Sequence, residues 1–153
     1  MFSLAVGAFA CNRDPDRERL RRTTRPEYDE KTGRLQRLTY DANKDGYVDT
    51  WVHMDGPRIV RTEVDRDQNG RIDRWAYPDD KGGLMRVEED TNGDGRADKW
   101  ESYTDGRLAS ATFDETGDGR PDRRLNYDAD GRLVSIESEP ADRGSFKKKI
   151  DVP

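Results

Sequence analysis

What this chain lacks narrows its nature before any motif is read. Apolar residues fill only 31% of its 153 positions while charged ones reach 40%, close to the composition at which a chain buries too little surface to fold unaided. Something besides a large core must hold it together. A single cysteine, Cys11, excludes an internal disulfide. The lone histidine, His53, leaves no imidazole or sulfur set that would select zinc or copper. No GxSxG, HExxH or phosphate-loop pattern is present, and carboxylate pairs in so acidic a chain carry no catalytic information, so no enzyme is expected. The 33 acidic and 28 basic residues leave a net charge of −5 with the basic ones dispersed, which argues against nucleic acid as a partner. The longest apolar run, Met1 to Ala10, is too short to span a bilayer.

What is abundant is one nine-residue pattern, seen with least noise from Asp90 to Asp98. Oxygen-bearing side chains stand at its first, third, fifth and ninth places, Asp90, Asn92, Asp94 and Asp98, and Gly95 at the sixth permits a sharp turn. Three copies follow the same plan: Asp41, Asn43, Asp45, Gly46, Asp49; Asp65, Asp67, Asn69, Gly70, Asp73; and Asp114, Thr116, Asp118, Gly119, Asp122. Their first residues lie 24, 25 and 24 apart, the signature of a repeat architecture. The seventh residues, Tyr47, Arg71, Arg96 and Arg120, each offer a backbone carbonyl. A hard cation of calcium's size takes six to eight oxygens at roughly 2.3–2.6 Å, and one such segment supplies most of them. The alternative is that Asn-Gly and Asp-Gly merely make hairpin turns. A turn does not need carboxylates at the first and ninth places of every copy. Ca²⁺ is therefore the expected ligand, and four divalent ions would carry the net charge from −5 to +3.

These loops resemble the calcium loops of EF-hands, dockerins, thrombospondin type 3 repeats and the integrin α-subunit propeller, all variants of DxDxDGxxD. An EF-hand would imply flanking helices and a bidentate Glu at the twelfth place, where the four copies have Val52, Ala76, Glu101 and Leu125. Only Glu101 fits. The resemblance implies calcium on a hairpin-borne loop, with the ninth-place Asp closing the cage. By ligand count the third loop is expected to bind most tightly, the first and second next and the fourth least.

The flanks read as strands. Positions one and three before each loop are mostly apolar, as in Tyr40 and Leu38, Val64, Val87 and Phe113, and those between are polar, a period-two alternation. Strands are expected over 34–40, 58–64, 84–89, 107–113 and 132–138 before the loops, and over 47–54, 71–77, 96–103 and 120–127 after them, with 23–28 a tenth. The expected fold is all-β: an antiparallel meander of about nine or ten strands in roughly 24-residue strand–loop–strand repeats, with the acidic loops along one edge. Tyr28-Asp29 with Gly33-Arg34-Leu35, and Tyr127-Asp128 with Gly131-Arg132-Leu133, resemble the YD repeats of Rhs-type surface proteins. Trp51, Trp75 and Trp100 recur two residues after a loop's last Asp, as a packed column or as a platform for a glycan or peptide, with Arg37, Arg61 and Arg86 placed to stack on them.

The apolar run ending on Cys11 resembles a bacterial lipoprotein signal, which implies a lipidated Cys11 as membrane anchor. The alternative is a frayed apolar terminus with an idle cysteine. The expected organisation is a signal segment over 1–11, a charged tether over 12–26, the β-repeat domain over 27–138 and a flexible tail over 139–153. The expected role is a calcium-binding lipoprotein of the bacterial envelope, outer membrane preferred, structural or adhesive, with an envelope protein or glycan as partner. The competing reading is a metal-independent glycan- or peptide-binding module.

Overall fold

The computed structural model describes residues 23–140 and 145–153. Its strands in chain order are β1 (Thr24–Tyr28), β2 (Leu35–Tyr40), β3 (Thr50–Asp55), β4 (Arg58–Val64), β5 (Arg74–Pro78), β6 (Leu84–Glu89), β7 (Lys99–Thr104), β8 (Arg107–Phe113), β9 (Arg123–Tyr127), β10 (Leu133–Pro140) and β11 (Phe146–Asp151). They form one antiparallel sheet of eleven strands in that order, each hydrogen-bonded only to its chain neighbours. The all-β meander is as expected, with one strand more.

Period-two alternation sorts the residues onto two faces, and the register lines them up in rows across the sheet. One row runs Leu38, Val52, Thr62, Ala76, Val87, Glu101, Ala111, Leu125, Ile136, Ile150. Its centre is the core: Val87 is fully buried and Ala111 is 3% exposed, the two buried apolar residues among those described. The opposite face carries the row Thr39, Trp51, Glu63, Trp75, Glu88, Trp100, Thr112, Arg124, Glu137. The tryptophans thus stand on alternate strands with glutamates between them, and do not touch as a continuous column.

The two edges at the strand ends differ in kind. Acidic loops join β2 to β3, β4 to β5, β6 to β7 and β8 to β9, while short glycine turns close the other ends. Asp105 and Gly106, at φ +50° and +75°, form the left-handed pair of a type I′ hairpin turn. In the longer turns an Asp caps the loop, as where Asp29 Oδ1 accepts the Thr32 N–H at 2.6 Å and Asp128 Oδ1 the Arg132 N–H at 2.9 Å. All five hairpins closed by these turns carry a register shift next to the turn, which bends the strands locally.

Four expectations are corrected. The strands after the loops begin at Thr50, Arg74, Lys99 and Arg123, three residues later than expected, because backbone pairing waits until the ninth-place Asp has closed the loop. The expected flexible tail contains β11, paired along β10 from Ser135↔Asp151 to Pro140↔Phe146. The arginines do not stack on tryptophan: Arg86 lies over Tyr77 at 4.2 Å, while Arg37 pairs with Glu27 and Arg61 with Glu63. Residues 24–26 of the expected tether belong to β1. Cys11 and the expected signal and tether up to residue 22 lie outside the described residues.

Candidate metal centre

Each acidic loop is wound by its own carboxylates. The first-place Asp accepts the N–H of the sixth-place glycine through Oδ2: Gly46 to Asp41 at 3.0 Å, Gly70 to Asp65 at 2.9 Å, Gly95 to Asp90 at 2.6 Å and Gly119 to Asp114 at 2.7 Å. Those glycines have φ between +85° and +98°, left-handed backbone that disfavours any side chain, although a Cβ would meet no close neighbour. The ninth-place Asp folds back to accept the N–H groups of the second and third residues, as where Asp73 Oδ2 receives Arg66 at 2.5 Å and Asp67 at 3.3 Å. Asp49, Asp98 and Asp122 do the same. Fifth-place oxygens of Asp45, Asn69, Asp94 and Asp118 each take the seventh-place N–H at 2.8 Å.

These bonds explain the acids at the loop ends and leave lone pairs over, since an ionised carboxylate has about four acceptor sites. They also set protonation. At Asp45 the Tyr47 N–H, with Gln68 Nε2 adding a second bond, holds the carboxyl below the ordinary aspartate value. Desolvation works the other way at Asp114, but the N–H groups of Gly119 and Gly117 outweigh it and the carboxyl again sits low.

The loops stand side by side and are tied to one another. The first-place N–H of each later loop donates to the carbonyl of the preceding loop's ninth-place Asp: Asp65 to Asp49 at 2.9 Å, Asp90 to Asp73 at 2.9 Å and Asp114 to Asp98 at 2.8 Å. In the inner loops this buries both end carboxylates. Asp65 and Asp73 are 5% and 9% exposed and Asp90 and Asp98 both 7%, whereas Asp114 and Asp122 stay half-buried.

In the second loop, oxygens of Asp65, Asp67 and Asp73 lie within 4.8 Å of one another. Like charges at that spacing repel by about 3 kcal/mol per pair at an effective dielectric of about 20. Asp65 Oδ1 is buried and has no hydrogen-bond partner. Oxygen donors only, in a cluster where one oxygen of Asp65 lacks a positive partner, suit a hard divalent cation.

The structure does not bring Glu101 to the third loop. It stands in the middle of β7, opposite Val87 and Ala111, and its carboxylate takes Lys99 Nζ and the Tyr103 hydroxyl, each at 2.7 Å. Strand pairing from Lys99 onward carries the twelfth-place residue out of the loop and into the sheet. The sequence reading also missed Glu63 and Glu88 between the tryptophans. Period-two alternation already placed them on the polar face, and their partners Arg61 and Arg86 stand two residues away.

No family model and no curated protein matches the chain. Among solved structures it is similar to accessory secretory protein 1, 2 and 3 of Streptococcus pneumoniae, at 14% identity and TM-score 0.39 over 77% of this chain and 19% of that one. It is similar also to the GtfA/B complex bound to UDP and GlcNAc, at 14% identity and TM-score 0.26 over 89% of this chain and 21% of that one. This chain spans about a fifth of either. Similarity this low transfers no activity.

Proposed function

We propose that this chain is a calcium-binding β-repeat protein with a structural or adhesive role, in which Ca²⁺ at the four acidic loops stiffens one edge of a sheet that has almost no core. The observation that carries the reading is the donorless, buried Oδ1 of Asp65 beside Asp67 and Asp73. A loop that served only as a turn has no use for an oxygen whose desolvation goes uncompensated. Asp41, Asn43, Asp45 and Asp49, their counterparts in the other copies and the seventh-place carbonyls of Tyr47, Arg71, Arg96 and Arg120 would complete the oxygen sets. The bacterial envelope and a lipid on Cys11 are proposed on the sequence alone.

Calorimetric titration of the metal-free chain with calcium chloride tests the first claim. Heat of binding with more than one calcium per chain is expected, and no uptake up to roughly 10⁻² M calcium overturns it. For the anchor, wild type is expected in the membrane fraction and Cys11→Ser in the soluble one. A wild type that is soluble with residues 1–10 retained removes the lipid.

A further inference from the structure

The four loops follow one backbone path, yet a single oxygen separates the second from the rest. At the first place, Asp41 Oδ1 accepts the Lys44 N–H at 2.6 Å, Asp90 Oδ1 the Gly93 N–H at 2.7 Å and Asp114 Oδ1 the Gly117 N–H at 2.7 Å. The fourth-place N–H caps that oxygen in three copies. In the second copy it does not: Asp65 Oδ1 has no partner. Nor do the basic residues of this loop supply one. Arg66 reaches Glu89 at 2.8 Å, and Arg71 Nη1 reaches the Gly93 carbonyl at 3.3 Å.

We propose that cation binding starts at the second loop, where a divalent cation of the calcium class enters against Asp65 Oδ1, Asp67 and Asp73 before the other three loops fill. The inference rests on the reading of the acidic loops as calcium sites. Ligand count would favour the third loop only through Glu101, which β7 holds away from it, and the first three loops otherwise offer equal sets. In the third loop the same oxygen already shares its electron density with the Gly93 N–H at 2.7 Å and must reorient around that bond, while the second has the oxygen free and the three carboxylates already within 4.8 Å. Preorganisation of this kind raises affinity by removing the cost of rearrangement. Relief of the mutual repulsion among the three carboxylates adds to it.

The sixth-place glycines provide one amide reporter per loop, because Gly46, Gly70, Gly95 and Gly119 each donate to the first ligand of their own loop. Calcium chloride titrated into the isotope-labelled full chain, followed by amide NMR, is expected to move Gly70 at the lowest calcium. Asp67→Asn keeps an acceptor for the Asn69 N–H and removes one charge from an exposed side chain. It should raise the calcium midpoint of Gly70 about tenfold, since ligand charge tunes the affinity of such loops. Asp94→Asn should do this to Gly95 and leave Gly70 within about twofold. If Gly95 or another glycine moves first, or all four move in step, the order is overturned while the calcium reading stands. If none responds up to about ten times the weakest affinity known for extracellular modules, roughly 10⁻² M, the calcium reading itself falls and this inference with it. Should Asp67→Asn fail to fold, the order of movement in the wild type still decides.

Discussion

Glu89, the last residue of β6, receives Lys99 Nζ at 2.9 Å and Arg66 Nη2 at 2.8 Å, and Lys99 in turn reaches Glu101 at 2.7 Å. This cluster stands on the same face as Val87, where a thicker protein would have further aliphatic side chains. Burial alone would raise the Glu89 carboxyl, but the bonds from Lys99 and Arg66 outweigh it and hold it below its ordinary 4.5. Burial would lower the Lys99 ammonium, yet Glu101 and Glu89 hold it above 10.5. The linkage follows from those directions. Glu89 contributes stability that is full above 4.5 and lost as pH falls through its lower folded value, while Lys99 contributes stability that is full below 10.5 and lost as pH rises through its higher one. Glu89→Gln is therefore expected to cost about 1.5–3 kcal/mol at neutral pH, the range for hydrogen bonds to charged groups. In urea melts the gap between variant and wild type should close as the pH drops below 4.5. A gap that stays constant into acid would show that lost packing, and not the charge, is what the variant removes.

At the scale of elements, legibility followed local pattern. β4, β6 and β8 have the bounds that alternation predicts, because a half-buried strand needs one apolar side chain every second residue and these segments supply it. The strands after the loops were placed too early, since Arg71 or Arg96 continues the alternation formally while its backbone is still bound to the loop's fifth-place oxygen. β11 was illegible for a different reason. Phe146-Lys147-Lys148-Lys149-Ile150-Asp151 has no alternation, and only its pairing with β10 makes it a strand. Its three lysines suit an edge that must not pair with another chain, as Pro26 does in β1 at the opposite end. The carboxylates and amides that wind the loops were legible from spacing alone, but the missing partner of Asp65 was not, because it turns on one backbone N–H. A chain ending at Pro140 would leave β10 as the edge and uncover Ile136, which pairs with Ile150. Light scattering after size exclusion should show this truncated chain associating at concentrations where the full chain is monomeric. If it stays monomeric and melts at the same temperature, β11 does not protect the edge.

The described residues form a single layer whose strands touch mainly their chain neighbours, so its stability is close to a sum of hairpin terms and neighbour terms, as in other repeat proteins. The inner terms are the strongest. Val87 on β6 and Ala111 on β8 are buried, whereas Tyr28 on β1 and Ile150 on β11 are 59% and 51% exposed. The loops' like charges oppose folding, and a bound cation would relieve them. One site at a hundred times its Kd adds about 2.7 kcal/mol, and at about 2–8 °C per kcal/mol for chains spanning this size, several filled sites should raise the melting temperature by more than about 10 °C over chelator. The gain should also be uneven. Without calcium, hydrogen exchange is expected to be slowest in β6 to β8 and fastest in β1 and β11, the ends opening before the middle. With calcium, protection should rise most in the strands beside the acidic loops, β2 to β9, and least in β1, β10 and β11, which no acidic loop joins. Uniform protection gained across all eleven strands would mean that the cation stabilises through net charge and not through the loops. Equal protection with calcium and with chelator would leave the loops as plain turns.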